Sequence, residues 1–162
     1  MANAKSNSGF DSKLLRNALG SYATGVTIIT ADDGNGIRAG LTANSFSSVS
    51  LNPSLVSSSL ANHAPGMPIF QDCSHYTINV LKREQEDLEN RYSQPRDNKF
   101  DGVKLTQGLG NSPTMTGALA TFQCRNAIAT WEEITSYSWA PLKNSMRVRA
   151  YCRSSMVEIL AI

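Results

Sequence analysis

Two histidines, His63 and His75, and three cysteines, Cys73, Cys124 and Cys152, are the side chains of this sequence best suited to metal binding or nucleophilic chemistry. Neither histidine has a cysteine or a second histidine at zinc-like spacing, so no metal site is expected. The cysteines are odd in number and widely separated, with no secretory signal ahead of them, which predicts reduced thiols rather than a disulfide framework. Gly34, Gly36 and Gly40 come near a dinucleotide-binding spacing, but the third glycine is one residue late and a strand is predicted where a helix is required. They read as turn glycines. No Walker-type phosphate loop and no Gly-x-Ser-x-Gly elbow occurs. Hydrolase and kinase chemistry are therefore set aside, and no catalytic acid, base or nucleophile is assigned.

The 162 residues suit a single domain spanning 1–162, with residues 1–10 expected to form a flexible N-terminus. A composition of 41% hydrophobic and 17% charged residues, with a formal net charge of +2, is ordinary for a globular protein and lacks the basic excess of a nucleic-acid binder. No apolar run approaches the roughly 18 residues of a membrane span. A cytoplasmic protein is expected, with no nucleic acid and no membrane among its partners.

The elements that must position any site are mostly strands. Asp11 and Ser12 offer caps to a helix whose Leu14, Leu15, Ala18, Leu19 and Tyr22 share a face, ending near Gly20. The run 25–30 (GVTIIT), the turn formers 32–36 (DDGNG) and the resumption at Ile37 predict a hairpin. Further strands are predicted over 46–50, 55–60 and 76–81, with Asn52-Pro53 as a turn, followed by a polar helix over 83–92. Long loops are expected from 93 to 117, interrupted by a short strand over 103–106, with another strand over 118–126. This order predicts a mainly antiparallel β-barrel with helical additions.

The run 16–53, RNALGSYATGVTIITADDGNGIRAGLTANSFSSVSLNP, resembles the N-terminal half of the short-chain flavin reductase family. The similarity continues through Leu60-Ala61-Asn62, Ile78–Leu81 (INVL), 94–103 (QPRDNKFDGV) and 117–124 (GALATFQC), and so covers most of the chain up to about residue 130. The resemblance implies a split β-barrel of Greek-key type with peripheral helices, assembled as a homodimer. It implies an NAD(P)H:flavin oxidoreductase that reduces FMN or FAD, with NADH or NADPH as co-substrate. The reduced flavin would go to a separate flavin-dependent oxygenase component, as in the oxidation of aromatic compounds. By motif, Thr42, Ala43, Asn44 and Ser45 would lie along the isoalloxazine and ribityl chain, and Ser59, Leu60, Ala61 and Asn62 along the ribityl and phosphate. Asn79, Val80, Leu81, Lys99 and Phe100 resemble further flavin contacts. Small residues whose amides reach the polar edge of the ring suit such a ligand, and the redox chemistry belongs to the two cofactors. A flavin-binding split-barrel protein with weak or no reductase activity is the alternative.

Past Cys124 the sequence departs from the family pattern, which has Gly-Asp-His, an apolar strand and a glycine where this chain has Trp131-Glu132-Glu133-Ile134-Thr135 and then SYSWAPLKNSM. The histidine that contacts the nicotinamide in the family is missing. Read from the third base of the Trp131 codon, the possible codons can encode Gly, Gly or Arg, Asp or Asn, His, Tyr or Asn, four apolar residues and Gly. The Asp and His then fall at positions 134 and 135. Residues 131–162 are accordingly expected to be a shifted reading frame, natural or from sequencing error, the alternative being a divergent tail that never carried the motif.

Overall fold

The computed structural model describes residues 14, 17, 18, 20–51, 54–61, 64–130 and 145–159, with 127–130 and 145–159 described by their backbone. Nine strands carry the fold: β1 (Thr27–Asp32), β2 (Arg38–Ala43), β3 (Ser47–Leu51), β4 (Ser54–Ala61), β5 (His75–Val80), β6 (Leu105–Gln107), β7 (Pro113–Met115), β8 (Ala120–Thr130) and β9 (Ser145–Ile159). Helices α1 (Met67–Asp72) and α2 (Glu86–Ser93) join them, the second entered through a 3-10 turn over Arg83–Gln85, and residues 14, 17, 18 and 20 ahead of β1 are helical as expected.

All six residues of β1 are buried, which a β-branched run achieves only when both faces of its strand are covered. Ile29 and Ala31 pack on one face with Val56, Leu60, Tyr76, Ile78 and Cys124, and α1 adds Met67 and Phe70 to that cluster. Ile28 packs on the other with Tyr92 of α2 and Met115 of β7. The turn from β1 to β2 is held by its own side chains: Asp32 Oδ1 accepts from the amides of Gly34 and Gly36, and Asp33 Oδ1 from those of Asn35 and Ile37. These bonds lower the Asp33 pKa from the ordinary carboxylate value, the Asn35 amide contributing most.

The strands form a seven-stranded sheet in the order β2-β1-β5-β8-β9-β4-β3, with antiparallel pairing throughout, and a separate β6–β7 hairpin. The two edge strands, β2 and β3, are consecutive in sequence and only Asn44, Ser45 and Phe46 separate them. Such a link spans at most about 14 Å, so the sheet must curl until its edges nearly meet.

Several expectations are displaced. The predicted strand over 103–106 is Leu105–Gln107, and it pairs with β7, which the sequence reads as loop. α1 forms where only a broken segment is expected: Pro68 sits in its first turn, where its missing amide costs nothing. Gly66 caps it at φ 85°, and a Cβ there would stand 2.8 Å from that of Ala39. Leu14 and Tyr22, expected on a packed helix face, are 68% and 76% exposed. Cys124 is disulfide-bonded, contrary to the expectation of reduced thiols; the β8–β9 ladder brings Cys152 directly opposite it, a separation that a sequence 28 residues apart does not reveal. Cys73 is free and buried, and burial pushes its thiol up to about 11, leaving it unreactive at neutral pH. Among the described residues, no helix is long and apolar enough to cross a membrane, and no cluster of His, Cys, Asp and Glu could hold a metal ion.

Candidate functional site

The ladder between β3 and β4 pairs Ser47 with Ser57, and continuing it by two residues sets Ser45 opposite Ser59. There the backbone of the edge segment leaves the ladder and the Ser45 side chain replaces it. Its hydroxyl donates to the Ser59 carbonyl at 2.9 Å and accepts from the Ser59 amide at 2.9 Å, with Ser58 Oγ 3.1 Å away. One hydroxyl thus satisfies both main-chain groups that a paired strand residue would have satisfied. The amides of Asn44 and Ser45 consequently have no backbone partner among the described residues.

The result is a ledge in which 42–45 and 59–61, fourteen residues apart in sequence at their contact, lie side by side. Asn44, Ser59 and Ala61 are exposed, Thr42 and Ser45 half-buried, Ala43 and Leu60 buried. Phe46 underlies it, its ring 5.1 Å from that of Phe122 on β8. Thr42 Oγ1 donates to the Glu89 carbonyl of α2 at 2.9 Å, and Thr27 Oγ1 to the Ala43 carbonyl at 2.6 Å, fixing the strand end from both sides. A cavity of about 210 Å³ lined by Val26, Leu81, Lys82, Arg83, Glu86 and Glu89 opens at this end of the sheet. A larger one, about 410 Å³ and lined by Asp32, Arg38, Gln107 and Asn111 among others, lies at the far end of the β1–β2 hairpin. The small polar surface is at the former end, and that end suits a planar heterocycle with a polar edge.

Asn79, Lys99 and Phe100 are not on this ledge. Asn62 lies outside the described residues, as do 131–144. Asn79 is fully buried: its Nδ2 donates to the Ile28 carbonyl at 3.0 Å and reaches Thr30 Oγ1 at 3.2 Å, while its Oδ1 accepts from the Met115 amide at 2.9 Å. Its side chain ties the β6–β7 hairpin over β1 and β5, beside Thr77, Ser112 and Thr114, which bond to one another. Asn79→Ala should therefore destabilise the fold by about 3 kcal/mol, because two buried main-chain groups lose their partner; chemical denaturation measures it. Lys99 and Phe100 stand behind β2 rather than on the ledge. Lys99 Nζ donates to the carbonyls of Gly40 at 3.0 Å and Tyr92 at 3.1 Å, and Phe100 meets Tyr92 edge-on at 5.4 Å. Burial lowers the Lys99 pKa from its ordinary value.

Ser58 and Glu89 bond to Ser45 and Thr42 of the candidate site and are not marked by sequence reasoning. Ser58 faces inward as a buried polar residue in an alternating strand, a recognisable signal. Glu89 contributes its carbonyl, which no side-chain pattern marks.

The chain is 40% identical over 121 residues to the FMN reductase (NADH) SmoA of Agrobacterium fabrum, covering 75% of this chain and 68% of that protein. It is 40% identical over 110 residues to the reductase component of the flavin-dependent trigonelline monooxygenase of Acinetobacter baylyi, covering 68% of this chain but 36% of that longer protein. The structure superposes on the flavin reductase PheA2 with a TM-score of 0.73 at 30% identity, covering 93% of this chain and 88% of that one. The flavin reductase like domain model matches residues 19–129, a span that includes the whole ledge, and the chain belongs to that family.

Proposed function

We propose that this protein binds FMN or FAD on the 42–45/59–61 ledge and reduces it with NADH or NADPH, releasing reduced flavin to a separate monooxygenase. The observation that carries the reading is the Ser45 bridge. It joins the two segments the family resemblance assigns to flavin, beside amides of Asn44 and Ser45 that have no backbone partner among the described residues. When bound, the flavin supplies the electron-accepting ring, and the nicotinamide supplies the hydride. The chain's residues bind and orient: the segment Thr42 to Ser45 presents donors to the polar edge, Ala43 and Leu60 anchor the two segments in the core beneath, and the curled sheet holds both in place. Asn62 belongs in the same strip by motif, while Asn79, Lys99 and Phe100 support it from behind.

Purified protein mixed with FMN or FAD and a reduced nicotinamide tests this through loss of nicotinamide absorbance. Flavin binding with turnover supports it. Binding without turnover favours the flavin-holding alternative, and the absence of both refutes it.

The split barrel is the natural description of a sheet whose edges are joined by three residues. A second copy is the partner that best fits β3, where Val49 and Leu51 are 51% and 91% exposed. Sedimentation at equilibrium would show a dimer.

The shifted frame belongs to the same proposal. The family match ends at residue 129, one residue before the Thr130 after which the break is placed. In the chain as written, 145–159 supply the strand between β8 and β4. The frame read from the third base of the Trp131 codon would supply a different strand and the nicotinamide-facing histidine.

A further inference from the structure

Resting on the flavin reading above, we infer that Lys99 is a positioning residue for the ledge and makes no contact with the flavin. Its ammonium bridges two carbonyls on different elements, Gly40 in the middle of β2 and Tyr92 near the end of α2. The residue is 8% exposed, so little of it remains open to a ligand. Two residues beyond Gly40, Thr42 bonds to the Glu89 carbonyl, one turn before Tyr92 on the same helix. β2 is therefore pinned to α2 at two successive points on one side of the strand, and Thr42 is at once the second pin and the first residue of the ledge. The approach between pins is close. A Cβ on Gly40 would stand 2.5 Å from the Tyr92 ring and 3.1 Å from Phe100, so β2 lies against α2 with no space to shift inward. Removing the ammonium frees the Gly40 carbonyl and lets this segment drift outward, displacing Thr42 to Ser45 together.

Contact and positioning predict different ligand dependences. A lysine that touched the flavin phosphate would matter for FMN and not for riboflavin, which has the same ring and ribityl chain without the phosphate. A positioning lysine acts on the ring and ribityl site, so its loss weakens both ligands alike. The test is the affinity of the full chain and its Lys99→Met and Lys99→Gln variants for FMN and for riboflavin, by quenching of flavin fluorescence, normalised to the folded fraction from circular dichroism. Lys99→Gln retains an amide donor and guards against a variant that fails to fold. The expected result is a loss of about tenfold for both ligands in Lys99→Met, with partial recovery in Lys99→Gln. A loss confined to FMN, or unchanged affinity in the folded variants, overturns the inference. If the unsubstituted chain binds neither ligand, the flavin reading itself fails, an outcome distinct from the other two.

Discussion

Inserting one base in the Trp131 codon, so that the following codons are read from its third base, is expected to raise NADH-dependent flavin reduction about 100-fold over the chain as written, the scale set by correct orientation of a bound reactant. Flavin affinity should change far less, because Thr42 to Ser45 and Ser59 to Ala61 precede the break and are already joined through the Ser45 hydroxyl. The insertion places codons that can encode Asp and His at 134 and 135, with codons for an apolar run behind them. Steady-state kinetics of the two proteins, with flavin dissociation constants measured alongside, separates the effects. Equal turnover by both, or a gene whose sequence holds no Gly-Asp-His codons beneath Trp131 to Thr135, would remove the shifted frame and leave the tail as a divergent closing strand.

Gly40→Val is the second large effect, and it acts on folding. The glycine is in extended strand, so its role is space: the Tyr92 Cε1 and Cδ1 atoms would stand 2.5 and 2.7 Å from a new Cβ. That ring is 1% exposed and wedged edge-on against Phe100, so it has nowhere to rotate. Overpacking here should cost about 3 kcal/mol or more, with β2 forced off α2. The measured outcome would be a lower denaturation midpoint and weakened flavin binding in whatever remains folded. A substitution tolerated without loss would mean that α2 does not seat on β2 as described.

Much of this architecture is legible from local sequence. The β1–β2 hairpin follows from Asp32-Asp33-Gly34-Asn35-Gly36, whose carboxylates take the turn amides themselves and whose Gly34 and Gly36 adopt φ 88° and 93°. β4 follows from apolar residues alternating with serines, whereas the two segments of the ledge are marked only by their resemblance to the family, since serine-rich strands are common. What sequence misses depends on distant main-chain partners. Asn79 and Lys99 lie in other stretches of the same family resemblance, 78–81 and 94–103, and their side chains are spent on carbonyls and amides of Ile28, Met115, Gly40 and Tyr92. Nothing local separates a polar residue facing a ligand from one facing a neighbouring strand. β7 was hidden for a related reason: Pro113-Thr114-Met115 is too short to show a period and pairs only with an equally short β6.

The measurement that bears most directly on the flavin-binding function is a titration of FMN and FAD into the purified chain, beside its Ser45→Ala variant, by flavin fluorescence. Saturable binding is predicted, weakened about tenfold when the hydroxyl that holds 42–45 to 59–61 is removed. No saturable binding by the unsubstituted chain, or an affinity indifferent to Ser45→Ala, would contradict a flavin site on this ledge.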